Sequence, residues 1–352
     1  MKDIYILGVE TSCDETSLSI VKNGNVEIAT VTLSQMDTHA RYGGVVPEIA
    51  SRMHTENITL ILEELFNKSN LTMKDIHAVA VTYAPGLLGS LLVGLEFAKT
   101  LALVYEIPLI KVHHIIGHIY ANAIDSQMEF PLLALIVSGG HTELVLMEKD
   151  YEFKILGATL DDAIGEVYDK VAKVLDLPYP GGPNIEKLAQ TGNASYQLPT
   201  VMKRDDLNFS YSGLKSAVIN LIHNEKQRGN KINIADMACS FQMTAIDQLI
   251  RKTNQAIETY QIPRLILAGG VSANGYLREK MAELAKEKAI DLLIPPMKYC
   301  TDNGTMIAAA AYPLYLKKEF AEFSQNAKST QNLADNSDWY LKKIIVSFKY
   351  GK

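Results

Sequence analysis

Residues 4–25, IYILGVETSCDETSLSIVKNGN, and residues 132–151, LLALIVSGGHTELVLMEKDY, follow one plan. In the first, the β-branched apolar run 4–9 makes a strand and ETSCDET a polar turn. Residues 18–21 then make a second strand, and KNGN (22–25) is a hairpin turn into a third strand over 26–33. In the second, residues 132–137 read as a strand, SGGHT as a turn, 143–148 as a strand, and the neighbourhood of 153–156 as another. Identity between the two stretches is low, but the order of elements repeats. A repeat of this kind builds an α/β protein of two lobes with a ligand between them.

The remaining chain supplies helices to flank two sheets. Pro47 stands at a favourable first-turn position for the helix PEIASRMHTENITLILEELFNKS, whose apolar residues recur at helical intervals. A strand at 78–82, the turn YAPGLLGS, a helix to about 105 and a strand at 108–112 follow. In the second half we expect a helix near 161–175, the turn LPYPGGPN and a polar connection over 190–210. Helices at 213–225 and 234–260, a strand at 264–268 running into GGVSANG, a helix at 276–288, a strand at 291–294 and a helix over 302–316 complete the pattern. From Glu319 the composition turns polar, as expected of a loop or mobile tail. The expected domains are an N-terminal lobe (1–130) completed by about 300–325, a C-terminal lobe (131–299) and a tail (326–352).

Composition narrows the class. With 352 residues, 47% hydrophobic and 21% charged, the chain reads as a soluble globular protein of two lobes. A net charge of -6 is not the basic footprint of a dedicated nucleic-acid binder, so any RNA contact needs a local positive surface or a partner. Cys13, Cys239 and Cys300 are far apart and form no CxxC pair, which excludes a disulfide framework and a cysteine-rich zinc site and fits a reducing compartment. The start, MKDIYILGVETS, lacks the apolar core of a signal peptide, and the apolar stretch 87–110 is interrupted by Glu96, Lys99 and Glu106. The expected location is the cytoplasm, with no membrane span.

Chemistry concentrates in a few places. VHHIIGHIYAN (112–122) places His114 and His118 four apart at the end of a strand; on a helix their Cβ atoms lie roughly 5–6 Å apart on one face. Such a pair grips a divalent metal if a third ligand arrives from elsewhere; the plainer alternative is two partly buried histidines at a helix start. HExxH is absent, so a metalloprotease is a poor reading. Three glycine turns, Ser138-Gly139-Gly140, Pro180-Gly181-Gly182-Pro183 and Gly269-Gly270-Val271-Ser272-Ala273-Asn274, expose backbone N–H groups of the kind that accept phosphate. Neither GxxxxGK[ST] nor GxGxxG occurs. Asp302 in TDNG is either a helix N-cap or the missing third ligand. Asp169 in EVYDK is either an exposed helix residue or a ribose ligand, and Asp14 and Glu15 are turn acids suited to general-base work.

Taken together, ETSCDET, YGGVVPEIASRMH, APGLLGSLLVG, VHHIIGH, VSGGHTEL, YDKVAKVLDLPYPGGP, FSYSGLKSA, AGGVSANG and CTDNG stand in the order seen in the TsaD family. These are the tRNA threonylcarbamoyladenosine synthases, formerly glycoproteases or Gcp/YgjD-type proteins, and the resemblance spans roughly residues 4–316. It implies the two-lobed α/β fold of actin, sugar kinases and heat-shock 70 proteins (the ASKHA fold), with duplicated mixed sheets flanked by helices. It also implies a metal, Fe2+ or Zn2+, on His114, His118 and Asp302. His113 is no ligand in this analogy and is expected to pack or to orient His114. The adenylate-bearing substrate, or ATP or AMP with or without Mg2+, falls to Ile136, Val137, Ser138, Gly139, Gly140, Asp169, Gly182, Glu186 and Asn274. Of these, the Gly139-Gly140 turn would face phosphate, and Asp169 and Glu186 ribose.

The implied activity is transfer of threonylcarbamoyl from threonylcarbamoyl-AMP to the exocyclic amine of adenosine 37 in tRNAs reading codons that begin with A, with release of AMP. Glu15, with Asp14 second, is the expected base. Expected partners are tRNA, a TsaB-type paralogue and a TsaE-type ATPase, with the helix after Pro47 as a docking surface. The rival readings are an ATPase or kinase of the same superfamily and a non-catalytic scaffold. The set His114, His118 and Asp302 argues against both.

Overall fold

The computed structural model describes residues 2–199 and 206–333. In chain order the elements are β1 (Tyr5–Glu10), β2 (Glu15–Lys22), β3 (Val26–Ser34), α1 (Met36–Ala40), α2 (Pro47–Ser69), β4 (Ala78–Ala84), α3 (Leu88–Val104), β5 (Leu109–His113) and α4 (His114–Tyr120). Then come β6 (Leu132–Val137), β7 (Thr142–Lys149), β8 (Glu152–Ala158), α5 (Ile164–Val174), α6 (Gly181–Ala189), α7 (Ser212–Gln227), α8 (Ile234–Tyr260), β9 (Arg264–Ala268), α9 (Gly275–Lys288), β10 (Asp291–Leu293) and α10 (Gly304–Leu316). They divide into two compact units. Unit 1 takes Met1–Phe130, Met147–Lys154 and the described chain from Pro295; unit 2 takes Pro131–Leu146 and Ile155–Ile294.

Each half of the chain builds a five-stranded sheet of the same plan. The orders are β3-β2-β1-β4-β5 and, read from the other edge, β8-β7-β6-β9-β10. In the first sheet β1, β2 and β3 are antiparallel neighbours and β1, β4 and β5 parallel ones. In the second, β6, β9 and β10 are parallel. This is the duplicated ASKHA architecture, mixed sheets with helices packed on them. No helix among the described residues is long and apolar enough to cross a membrane.

In unit 1 the alternation of β1 decides what lies on each face. Leu7 and Val9 join Leu18, Ile20, Val79 and Val81 in a core closed by Ile58, Ile61 and Leu65 of α2 and by Leu95, Ala98 and Ala102 of α3. The alternate residues of β1 meet α10, and at Gly8 the two backbones touch. A Cβ on Gly8 would stand 2.1 Å from the Gly304 carbonyl oxygen, so no other residue fits without moving α10. Two hydroxyls complete the seat: Ser17 Oγ accepts from the Gly304 N–H at 2.9 Å, and Ser19 Oγ meets Thr305 Oγ1 at 2.9 Å.

Several expectations change in detail. LPYPGGPN is no simple turn, because Gly181 and Gly182 open α6. Pro183 lies in that helix's first turn, where a missing N–H costs nothing. The helix expected from residue 161 begins at Ile164, because the Asp161 carboxylate is bonded instead to the Tyr211 and Ser212 N–H groups and to the Ser210 and Ser212 hydroxyls. After Glu319 the described chain forms no helix or strand but is tied down by backbone bonds. Ala321 N–H donates to Leu109 O (2.8 Å), Lys328 N–H to Tyr83 O (2.9 Å), and Gly86 N–H to Ser329 O (3.1 Å). The tail segment 335–352 lies outside the described residues.

The Gly8–Gly304 contact can be tested by addition. Gly8→Ala should lower unfolding free energy by about 3 kcal/mol, an overpacking penalty at the upper end of the usual range. Chemical denaturation measures it, and an unchanged midpoint would show that α10 is not seated as described.

Candidate functional site

The parallel strands β1 and β5 deliver the chemistry at their C-terminal ends, as open α/β sheets do. Helix α4 begins at His114 directly after β5, so His114 and His118 share one helical face. Their rings meet edge-on, with centroids 4.6 Å apart. Asp302 arrives just before α10, and its Oδ1 stands 3.4 Å from His114 Nε2 and 3.2 Å from His118 Nε2. One donor atom from each residue lies within 4.8 Å of the others. The N-cap alternative for Asp302 falls, because Asn303 caps α10 by accepting from the Met306 N–H at 2.8 Å. Asp302 is thereby free to face the histidines.

Glu10 is the functional residue that sequence reasoning missed. Fully buried at the end of β1, it accepts from Ser12 N–H (2.5 Å) and Thr82 Oγ1 (2.6 Å) and meets His114 Nδ1 at 3.1 Å. Ser12 Oγ also reaches that nitrogen, at 3.1 Å. A carboxylate on Nδ1 keeps a proton there, so that when the imidazolium gives up its other proton it is the Nε2 lone pair that faces Asp302. The signal was present in the VETS run, as an acid at the end of an apolar strand. His113, expected to pack or to orient His114, is buried, and its Nε2–H donates to the Gln331 carbonyl at 3.1 Å.

Electrostatics follow from this crowding. Burial alone pulls the His114 pKa down, but the Asp302 and Glu10 charges outweigh it and hold it up at about 9. The two histidines in turn hold Asp302 down at about 2 against the effect of burial. Glu15, at the start of β2, accepts from Ser34 Oγ at 3.2 Å; burial first, then the Asp302 and Asp14 charges, push its carboxyl up to about 10. A cation beside Asp302 offsets one of those causes and returns Glu15 toward the ionised form. Two imidazoles and a carboxylate are donors suited to Zn2+ or Fe2+, and the Nε2 atoms of both histidines converge on Asp302 Oδ1, so the set fits a metal.

Unit 2 closes a ring of contacts of its own. Ser138, Gly139, Gly140 and His141 form the turn after β6, tied by Ser138 N–H to His141 O (2.9 Å) and His141 N–H to Ser138 Oγ (3.0 Å). Gly165, in the first turn of α5, donates to Ser138 O at 3.2 Å. Asp169 on α5 accepts from the Gly181 N–H at 2.7 Å at the start of α6, and burial raises its pKa. Glu186 on α6 accepts from the Gly275 N–H at 2.7 Å at the start of α9. Gly269, at φ +89°, returns the ring to β6, since a Cβ there would meet Val137 O at 2.5 Å. Gly139, Gly140, Gly182 and Gly270 each have open space where a Cβ would stand, so their backbones stay approachable.

Not every expected residue presents a side chain to that space. Ile136 and Val137 are fully buried within β6. Asn274 spends its amide on the α9 cap (Leu277 N–H, 2.9 Å) and on Gln242 Oε1 (2.9 Å).

The tRNA N6-adenosine threonylcarbamoyltransferase (TsaD) family model matches residues 27–309. The chain belongs to that family. A tRNA N6-adenosine threonylcarbamoyltransferase of Bacillus thuringiensis (strain Al Hakam) is 52% identical over 328 residues, 93% of this chain and 96% of that protein. The protein of the same name from Bacillus subtilis (strain 168) is 55% identical over 311 residues, 88% of this chain and 90% of its own. Among solved structures, full-length HypF in its phosphate- and nucleotide-bound form aligns with a TM-score of 0.59 at 15% identity, over 90% of this chain and 47% of that one. The component A of (R)-2-hydroxyglutaryl-CoA dehydratase from Acidaminococcus fermentans gives 0.52 at 13% identity, over 88% and 98%. At such identities these two speak for the fold of the TsaD family member alone.

Glu10→Gln should weaken Zn2+ or Fe2+ binding about 10- to 100-fold, the usual cost of losing a carboxylate behind a histidine ligand. In the wild type a metal must expel the His114 proton below pH about 9. Affinity should therefore rise with pH, by about tenfold per unit, and level off near that value. Titration calorimetry in buffers of different ionisation enthalpy reads the proton released; a pH-independent affinity would place the metal elsewhere.

Proposed function

We propose that this chain is a metal-dependent tRNA threonylcarbamoyltransferase, acting on the exocyclic amine of adenosine 37 in tRNAs that read codons beginning with A. The observation that carries it is the convergence of His114, His118 and Asp302 in a chain of this family. Fe2+ or Zn2+ held there would supply Lewis acidity to the acyl oxygens.

The chain's own residues do the rest. In unit 2 the open Gly139–Gly140 turn receives the adenylate phosphate through backbone N–H groups. Glu186 keeps one oxygen on Gly275 N–H and offers the other to a ribose hydroxyl, while Asp169 holds the start of α6 and, with it, Gly182 in place. In unit 1 Glu15, assisted by Asp14, takes the proton that the amine sheds as its nitrogen bonds to the carbamoyl carbon. The carbon–oxygen bond to phosphate breaks in the same exchange, and AMP leaves with that electron pair. Ionised Glu15 is the form the step needs.

The same reading carries the partners. A net charge of -6 supports tRNA capture shared with other proteins, a TsaB-type paralogue and a TsaE-type ATPase. Helix α2, with Leu60 62% exposed on its outer side, is the surface we assign to the paralogue. We place the chain in the cytoplasm, with tRNA.

Purified chain, unmodified tRNA and threonylcarbamoyl-AMP, with and without the partners, should give AMP and threonylcarbamoylated adenosine 37 by nucleoside mass spectrometry. Glu15→Gln should keep the metal and lower turnover about 100-fold, the scale of general-base catalysis. Full turnover in that variant removes Glu15 from the reaction. ATP hydrolysis with Mg2+ alone and no tRNA product would favour the ATPase or kinase reading.

A further inference from the structure

The motif YGGVVPEIASRMH ends on a histidine that the transfer chemistry does not use. On α2 the buried row runs Ala50, His54, Ile58, Ile61, Leu65, so His54 occupies a position where an aliphatic residue would pack. It is fully buried, and both ring nitrogens are bonded: Nε2 to the Cys13 carbonyl at 3.0 Å and Nδ1 to Thr16 Oγ1 at 2.7 Å. A carbonyl only accepts, so Nε2 carries the proton and Nδ1 accepts from the threonine. Burial holds the imidazole pKa below its usual value, which keeps that neutral tautomer in place.

The Cys13 carbonyl belongs to a turn gripped from three sides. Ser12 O accepts from the Leu87 N–H (2.8 Å), before α3, and Asp14 O from the Gln35 N–H (3.0 Å), before α1. Gln35 is itself held, its Oε1 by His39 Nε2 (3.1 Å) and its Nε2 on Ala50 O (3.3 Å), and the Val46 N–H fixes His39 through Nδ1 (3.2 Å). Of the three grips on the turn carbonyls, only that of His54 is a side chain. The turn lies between Glu10, which orients His114, and Glu15, the proposed base.

We propose that His54 is a positioning residue for the transfer reaction, its imidazole clamping the Cys13 carbonyl so that the turn holds Glu15 in register with Asp302. The proposal rests on the role given to Glu15 above. It explains why a motif on α2 ends in a polar ring facing the core.

The test uses the full chain as His54→Leu, which removes the clamp, and His54→Gln, whose side-chain N–H can still reach Cys13 O. Hydrogen–deuterium exchange over residues 11–15 should quicken about tenfold in the Leu variant as the turn opens locally. Turnover should fall about 30-fold, as expected when a reacting group is misplaced by a fraction of an ångström, with KM for tRNA and metal content near wild type. The Gln variant should recover most of both. If the Leu variant does not fold, Thr16→Val, which removes the nearer partner of Nδ1 and leaves only Gln35 Nε2 at 3.4 Å, should show the same changes in lesser degree. Unchanged exchange in the folded variant overturns the clamp, and so does equal impairment of Leu and Gln. If the wild type itself transfers nothing, the functional reading falls, while the exchange result still decides the clamp.

Discussion

The structure of unit 1 hangs on the contact of two glycines. Gly8 and Gly304 bring β1 and the first turn of α10 closer than any side chain would permit. Glu10 lies two residues beyond Gly8 and Asp302 two residues before Gly304. One steric constraint therefore places both the carboxylate that orients His114 and the carboxylate that faces it. Neither residue could be set by its own loop, because each is fixed by the stiff element next to it.

Around that contact the chain concentrates acid. Glu10, Asp14, Glu15 and Asp302 gather near two histidines; neighbouring charges hold His114 up and Asp302 down against burial, while burial first, then the Asp302 and Asp14 charges, pushes Glu15 up. Such a cluster is poorly balanced as it stands. Burying like charges is costly unless a cation or a proton accompanies them, which suits the site to the exchange of protons for a metal proposed above. Backbone carbonyl grips on the turn between Glu10 and Glu15 keep the acids apart in defined places.

Much of this was legible in the sequence, for identifiable reasons. The repeated strand–turn–strand order predicted two sheets of one plan because the side-chain period of a strand is written directly in the residues. The α2 helix from Pro47 to Ser69 was legible for the same reason, with a proline start and an apolar stripe. The helix α6 was not, because its opening residues are two glycines and a proline, whose local preference is a turn and which only packing makes helical. His114 and His118 were visible as a spacing, whereas Asp302 needed the resemblance to a family, since nothing local separates a ligand from an N-cap. Asn303, one residue on, turned out to be the cap. Glu10 was missed because an acid at a strand end has no pattern until the ring it orients arrives from a segment a hundred residues away.

The claim that His114, His118 and Asp302 together hold a metal is tested most directly by X-ray diffraction from the metal-loaded protein at the iron or zinc absorption edge. The account predicts one anomalous peak about 2.0–2.2 Å from both Nε2 atoms and a carboxylate oxygen of Asp302. No peak there, with the three side chains joined only by hydrogen bonds, would contradict it.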